Sequence, residues 1–361
     1  MEGDLFDYLV WRGDLTFRAA PLCEADALLL AELSYLHFPI AKDCVMTVSE
    51  AFEAWKLLPD EERFSGLGLV KDKTGLLLEQ AAKSKRFGHV RLTRYSEVED
   101  IENEEQFAAV TFLLPGQILF IAYRGTGDTL IGWKEDFNMV FMDKVPSQEE
   151  AARYAEDIAA LYPDYRLILG GQSKGGNLAV WAAANLQTKT KQRLKAVYNL
   201  DGPGFIGGFT KKPAYREIEK RVRSYVPASS LVGVLMGECT YTIIKSTTLS
   251  VLQHNPFTWM ICGTAFTQEA ERTKSSRVIE QFVDGMLINM SRKDRADFVE
   301  KLFSDLTAYS AKTVADLKKH LFSTIVKVLL DLKQFSDKSK ENKARRQELM
   351  AALKEMTGAM R

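Results

Sequence analysis

The sequence predicts an α/β protein, with a mostly parallel central sheet flanked by helices and a helical extension at the C-terminal end. Three observations predict it. Short apolar, β-inclined runs alternate with helical patterns between about residues 107 and 254. One of those runs, Leu167 to Leu169, leads through glycines into the small, Ala-rich stretch Asn177 to Asn185. From Thr267 onward charge dominates, with Leu, Phe and Val recurring at spacings of three and four.

Composition sets the bounds. The chain has 361 residues, 46% hydrophobic and 27% charged, enough for one large domain with an appendage or for two domains. We expect a domain over 1–266 that includes N-terminal helices, and a helical module over 267–361. Lys plus Arg equals Asp plus Glu at 48 each, so a basic nucleic-acid footprint is unsupported. No run of 18 uncharged apolar residues occurs, and the opening MEGDLFDYLVWRGD is acidic where a signal peptide is basic. The expectation is a cytoplasmic protein without a transmembrane segment. Cys23, Cys44, Cys239 and Cys262 lack C-x-x-C spacing, which argues against zinc and fits buried small hydrophobes in a reducing compartment.

Taken in order, residues 25–36 and 48–58 carry helical apolar spacing, the second ending before Pro59. A helix broadly over 76–85 leads to an alternating stretch, 89–95, that suits a strand. Two β-rich runs, 107–114 and 117–124, flank Pro115-Gly116 and predict a hairpin. A helix follows in which Ser147 and Glu150 form a capping box after Pro146, running to Tyr162. Beyond the Ala-rich helix, a basic loop (189–195) precedes strands over 196–200, 221–226 and 241–244. Within the C-terminal extension, 322–332 is the most apolar part and reads as a core-facing or partner-facing helix, a face for a protein partner or self-association.

The chemistry centres on Gly171-Gln172-Ser173-Lys174-Gly175, a G-x-S-x-G pattern between strand and helix. Glycines there let the chain fold back sharply, the serine oxygen projects above the sheet edge, and the helix N-terminus faces any oxyanion formed. A glycine-rich turn could equally cradle a phosphate, but G-x-x-x-x-G-K-[ST] is absent. The loop Arg124-Gly125-Thr126-Gly127 ends another strand, and Thr126 offers an oxyanion donor through its N–H and its hydroxyl; a plain glycine turn is the alternative. A serine hydroxyl needs a base and a group that orients the base. Of the four histidines, His37 and His89 precede Ser173 and His320 sits beside Lys318 and Lys319, which leaves His254 as the base. Asp201, at a strand end before Gly202-Pro203-Gly204, is the acid of choice, with a turn-capping aspartate as the alternative.

IAYRGTGDTLIGWKEDF, GGQSKGGNLAVWAA and LQHNPF together resemble the class 3 lipase branch of the α/β-hydrolase superfamily, and more closely a bacterial lipase-like family related to it. The similarity covers roughly residues 107–254. It implies the α/β-hydrolase fold, a nucleophile at Ser173, and an oxyanion hole built from Thr126 and the amide of Lys174. Gln172 stands where lipases usually carry histidine, and Lys174 replaces a common leucine; both changes look tolerable, because the backbone supplies the chemistry there. The lipase acid falls on Ser229-Ser230-Leu231-Val232, which has no carboxylate. Either the acid has moved one strand back to Asp201 or the set is incomplete.

The expectation is a serine hydrolase acting on carboxylic esters, lipid or acyl-chain substrates included, through an acyl-enzyme on Ser173, with no metal or organic cofactor implied. Acyl transfer to a nucleophile other than water would use the same residues. The rival is a catalytically silent α/β-hydrolase scaffold serving as an interaction module. Whether 205–220 forms a lid stays open.

Overall fold

The computed structural model describes residues 2–41, 44–64, 70–127, 129–236, 240–308 and 351. Its main sheet has eight strands lying side by side in chain order: β1 (Val45–Thr47), β2 (Arg91–Asp100), β3 (Glu105–Leu114), β4 (Ile118–Tyr123), β5 (Arg166–Gln172), β6 (Leu194–Leu200), β7 (Val222–Pro227) and β8 (Thr242–Ile244). The first three pairings are antiparallel and the remaining four parallel. The β3–β4 hairpin closes through Gly116 and Gln117, whose φ angles of 83° and 56° are left-handed.

Alternation along the strands sets the layers. Leu119 and Ile121 of β4, with Leu167 and Leu169 of β5, face one side of the sheet; Phe120, Ala122 and Ile168 face the other. In chain order the helices are α1 (Leu5–Arg12), α2 (Glu24–Leu33), α3 (Val48–Lys56), α4 (Lys71–Lys83), α5 (Leu130–Asn138), α6 (Pro146–Leu161), α7 (Lys174–Asn185), the single turns α8 (Thr188–Lys191) and α9 (Pro213–Arg216), α10 (Lys274–Asn289) and α11 (Arg292–Ala308). Helices α1 to α4 cover the Phe120 face. Helices α6 and α7 cover the Leu119 face through Ala151, Ala155, Ala179, Ala182 and Ala183, whose small side chains let helix and sheet approach closely. A satellite cluster joins Val299 and Phe303 of α11 to Trp133 and Phe137 of α5. The arrangement is the expected α/β-hydrolase fold.

Several expectations need correction. Helix α6 starts one residue earlier than the proposed capping box: Pro146 takes the first helical position, Val145 is the cap, and Gln148 reaches back to the Val145 N–H at 3.0 Å. Proline fits there because its missing N–H would have had no partner. Ser147 is thereby buried inside the first turn. The strand expected over 89–95 begins at Arg91, leaves His89 exposed, and runs to Asp100 through an irregularity between Thr93 and Ser96. Most of the expected 189–195 loop is taken up by the end of α8 and the start of β6, at Leu194. Cys44 and Cys262 are exposed and Cys23 is half-buried, so these three are not core residues. Residues 205–220 hold a stacked aromatic group, with Phe205 4.1 Å from Phe209 and Phe209 5.2 Å from Trp181. Cys239, His320 and the apolar stretch 322–332 lie outside the described residues. Among the described residues, no helix is long and apolar enough to cross a membrane.

Helix α2 is buried almost throughout, Glu32 included, and neither Glu32 carboxylate oxygen has a hydrogen-bond partner. Burial pushes its pKa up from 4.5 to about 8. Below the unfolded value both states are protonated. Between the two values the unfolded chain ionises while the fold holds its proton, so stability falls as pH rises, by at most about 1.4 kcal/mol per pH unit. Glu32→Gln should therefore leave stability unchanged below about pH 4.5 and raise it above pH 8. Urea unfolding across that range checks this; parallel wild-type and variant curves would contradict it.

Candidate active site

The chain passes from β5 to α7 in a single residue. Ser173 sits at φ 57°, ψ −134°, a conformation costly for any residue with a Cβ, and persists there because both flanks are fixed. Its N–H donates to Leu200 O at 3.0 Å on one side, and its carbonyl accepts from Gly176 at 2.9 Å on the other. The flanking glycines are required by contact. A Cβ on Gly175 would lie 2.1 Å from the Tyr123 carbonyl oxygen, and one on Gly171 would lie 2.3 Å from the Gly175 carbonyl carbon.

Three predicted residues converge at the C-terminal edge of the sheet. His254 Nε2 is 3.0 Å from Ser173 Oγ, and His254 Nδ1 is 2.7 Å from Asp201 Oδ2. The carboxylate accepts the Nδ1 proton, which leaves the Nε2 lone pair facing the serine. Asp201 is fully buried at the end of β6, whereas the His254 side chain is 31% exposed and open to a ligand. Its turn, Ser250–His254, is anchored by Gln253, which accepts from Ser229 N at 2.7 Å and donates to Thr248 O at 2.8 Å. Of the two alternatives for the acid, it is Asp201 that meets the imidazole, and Ser230, at the position expected to lack a carboxylate, donates its hydroxyl to Asp201 Oδ1 at 2.5 Å.

The expected oxyanion residues also lie here. The loop carrying Thr126 runs against Ser173, since a Cβ on Gly125 would stand 3.1 Å from Ser173 Cβ and 2.7 Å from the Gln172 carbonyl oxygen. Lys174 occupies the first position of α7, where the N–H has no intrahelical acceptor. The Thr126 hydroxyl donates to Asp136, whose burial pushes its pKa up to about 6 although Lys174 and that hydroxyl pull it down. Gln106 closes the loop from below, accepting from Gly127 N at 2.6 Å and donating to Thr129 Oγ1 at 2.8 Å. Among the described residues, no group of three His, Cys, Asp or Glu is placed to hold a metal ion.

The tolerant reading of positions 172 and 174 was incomplete, because both side chains are at work. Gln172 Oε1 accepts from Tyr35 at 2.8 Å, which turns its amide nitrogen toward His254, 3.1 Å from the carbonyl oxygen and 3.3 Å from Nε2. Lys174, 1% exposed, donates to Glu135 Oε2 and to Gln106 O, each at 2.8 Å. Glu135 also accepts from Gln106 N at 3.0 Å and Ser147 N at 2.8 Å. A lysine opening a small, apolar helix was the signal available, since such a charge needs a buried acid, but the sequence offers several acidic pairs upstream, Glu135-Asp136, Glu149-Glu150 and Glu156-Asp157 among them, and does not choose between them. Glu135→Ala should cost about 3–5 kcal/mol, because it strands an ammonium and two N–H donors. Lys174→Met should cost less, since Glu135 keeps its two N–H donors. Chemical denaturation of both variants checks the order, and the reverse ranking would refute it.

A family model described as Mbeg1-like matches residues 81–304. No curated protein matches the chain. Among solved structures, the Lip2 lipase from Yarrowia lipolytica is 11% identical over 71% of this chain and 87% of its own, with a TM-score of 0.39. A triacylglycerol lipase whose catalytic centre is described as a serine protease triad is 15% identical over 68% and 84%, at 0.40. Rhizomucor miehei lipase is 16% identical over 57% and 67%, at 0.31. The family model spans more than half of the sequence and takes in every strand from β2 to β8 together with Ser173, Asp201 and His254, so the chain belongs to the Mbeg1-like family, on an α/β-hydrolase fold.

Proposed function

We propose that the protein is a serine hydrolase that cleaves carboxylic esters through an acyl-enzyme on Ser173. The observation that carries this reading is the unbroken set of contacts from Asp201 through His254 to Ser173, at 2.7 and 3.0 Å. His254 Nε2 takes the hydroxyl proton as Ser173 Oγ attacks the carbonyl carbon. Asp201 holds the ring and stabilises the imidazolium. The oxyanion faces the N–H groups of Lys174 and Thr126 and the positive end of α7. His254 then returns the proton to the departing alcohol, activates water, and the acyl-enzyme is hydrolysed. Transfer of the acyl group to another nucleophile follows the same route with water replaced.

Leu249 and Leu252, 67% and 36% exposed, lie on the segment that leads into His254 and favour substrates with an apolar acyl portion. A contiguous acid, base and nucleophile leaves the silent-scaffold reading without an observation in its favour.

A fluorophosphonate probe should label Ser173 and should fail on Ser173→Ala, while p-nitrophenyl esters should be turned over by the wild type. Asp201→Asn should lower turnover by about 10⁴, because the amide favours the wrong imidazole tautomer. Absence of an adduct on folded wild-type protein would overturn the assignment.

A further inference from the structure

The contacts on the far side of Asp201 form a chain that leaves the sheet. Oδ1 accepts from Ser230 Oγ at 2.5 Å and from Gly233 N at 3.2 Å. The Ser230 carbonyl accepts from Ser276 Oγ at 2.5 Å, and Ser276 accepts from Arg272 Nη2 at 2.7 Å. Arg272 is itself held by Glu280 at 2.5 Å and by the Tyr241 hydroxyl at 3.1 Å. Ser276 lies in the first turn of α10, and the cap of that helix, Thr273, donates its N–H to Ala228 O at 2.8 Å. The start of α10 is therefore fastened at two points to the turn that follows β7.

The direction of these bonds is fixed by chemistry. Arginine can only donate, so Ser276 accepts from it and turns its own proton to the Ser230 carbonyl. Ser230 accepts from Gly233 N at 3.1 Å and turns its proton to the carboxylate. Asp201 needs such support, because its backbone sits at φ 56° and its Oδ2 must lie in line with the His254 Nδ1 proton. Rotation of the carboxylate is checked by the two donors on Oδ1, and the place of the stronger one depends on where the Ser230 main chain is held. Ser230 and Ser276 are at most 1% exposed, so bulk solvent does not compete for either hydroxyl's partners.

We propose that Ser276, on the first C-terminal helix, is a positioning residue for the acid: through Ser230 it sets the plane of the Asp201 carboxylate and with it the aim of the His254 ring at Ser173. The proposal rests on the catalytic reading of those three residues.

The test compares Ser276→Ala and Ser276→Thr, each alone and in the Asp201→Asn background, by ester turnover and by the rate of fluorophosphonate labelling of Ser173. Ser276→Ala should lower kcat and the labelling rate about tenfold with KM unchanged, and Ser276→Thr, which keeps the hydroxyl, should restore most of both. In Asp201→Asn the alanine should have no further effect on labelling, because the carboxylate it orients is gone. An unchanged kcat, or an equal loss in both backgrounds, would overturn the positioning role. Should Ser276→Ala fail to fold, Ser276→Cys, which fills the same space with a far weaker donor, should show the same fall in kcat, and an unchanged kcat there would equally overturn the proposal. A wild type that neither turns over esters nor takes label would instead remove the catalytic reading, and the positioning role with it.

Discussion

The buried pair between Lys174 and Glu135 is the constraint on which the rest of the site depends. A lysine ammonium with 1% exposure needs acceptors around it, and two elements supply them, α5 through Glu135 and β3 through the Gln106 carbonyl, while the start of α6 donates to the same Glu135 through the Ser147 N–H. Such a pair does little for net stability, because desolvating two charges offsets most of their attraction. Its effect is on geometry. Moving α5 relative to α7 would part the charges in a medium that cannot resolvate them, so the residue after the nucleophile and the helix that holds Thr126 keep one relative placement.

A second consequence concerns the acid. In a parallel sheet, neighbouring strand ends lie about 5 Å apart, so a carboxylate can reach the same imidazole from either of two adjacent strands if the backbone turns it inward. Asp201 does so by adopting a left-handed φ at the end of β6, the conformation that swings its side chain under His254. Ser230 then has no charge to supply and contributes a proton donor instead. The acid and its donor thus divide between two strands the task that one carboxylate with water or main-chain donors could perform. Gly202 makes this possible: a Cβ there would stand 2.5 Å from the Ser173 carbonyl oxygen and 2.8 Å from Asn177 N, so only glycine lets the chain after Asp201 pass across the first turn of α7.

What was legible in the sequence follows from what is local. The β3–β4 hairpin, the strand into Ser173, the Ala-rich α7 and the strand ending at Asp201 all announce themselves within a dozen residues, and the order of Ser, Asp and His along the chain did the rest. The contacts that went unread are long-range. Gln106 and Lys174 are 68 residues apart, Lys174 and Glu135 are 39 apart, and Gln172 and His254 are 82 apart, so no window on the sequence contains both partners. The misplaced cap of α6 had a different cause. Ser147 and Glu150 fit a capping pattern, but Pro146 fixes its own φ at a helical value and so pulls the cap back by two residues, from Ser147 to Val145, burying the serine that should have ended the helix.

The two described C-terminal helices are more closely bound to the site than an appendage would be. Helix α5 is amphipathic in an uncommon sense: Trp133 and Phe137, four residues apart, turn outward with Val140 and Phe141 beyond them, while Glu135 and Asp136 turn toward Lys174 and Thr126. An isolated helix of nine residues does not hold itself together, and with its polar side committed inward, the apolar side needs a cover. Helix α11 is that cover. Val299 and Phe303 pack on the apolar stripe, Glu300 pairs with Lys134 at 3.0 Å, and Arg295 donates to the Val140 carbonyl at 3.0 Å. Since α10 reaches Asp201 through Ser230, and α11 reaches Thr126 through α5, each helix braces one end of the array that meets at Ser173. The charge-rich, helical stretch that forms α10 and α11 therefore lies against the outer side of the site.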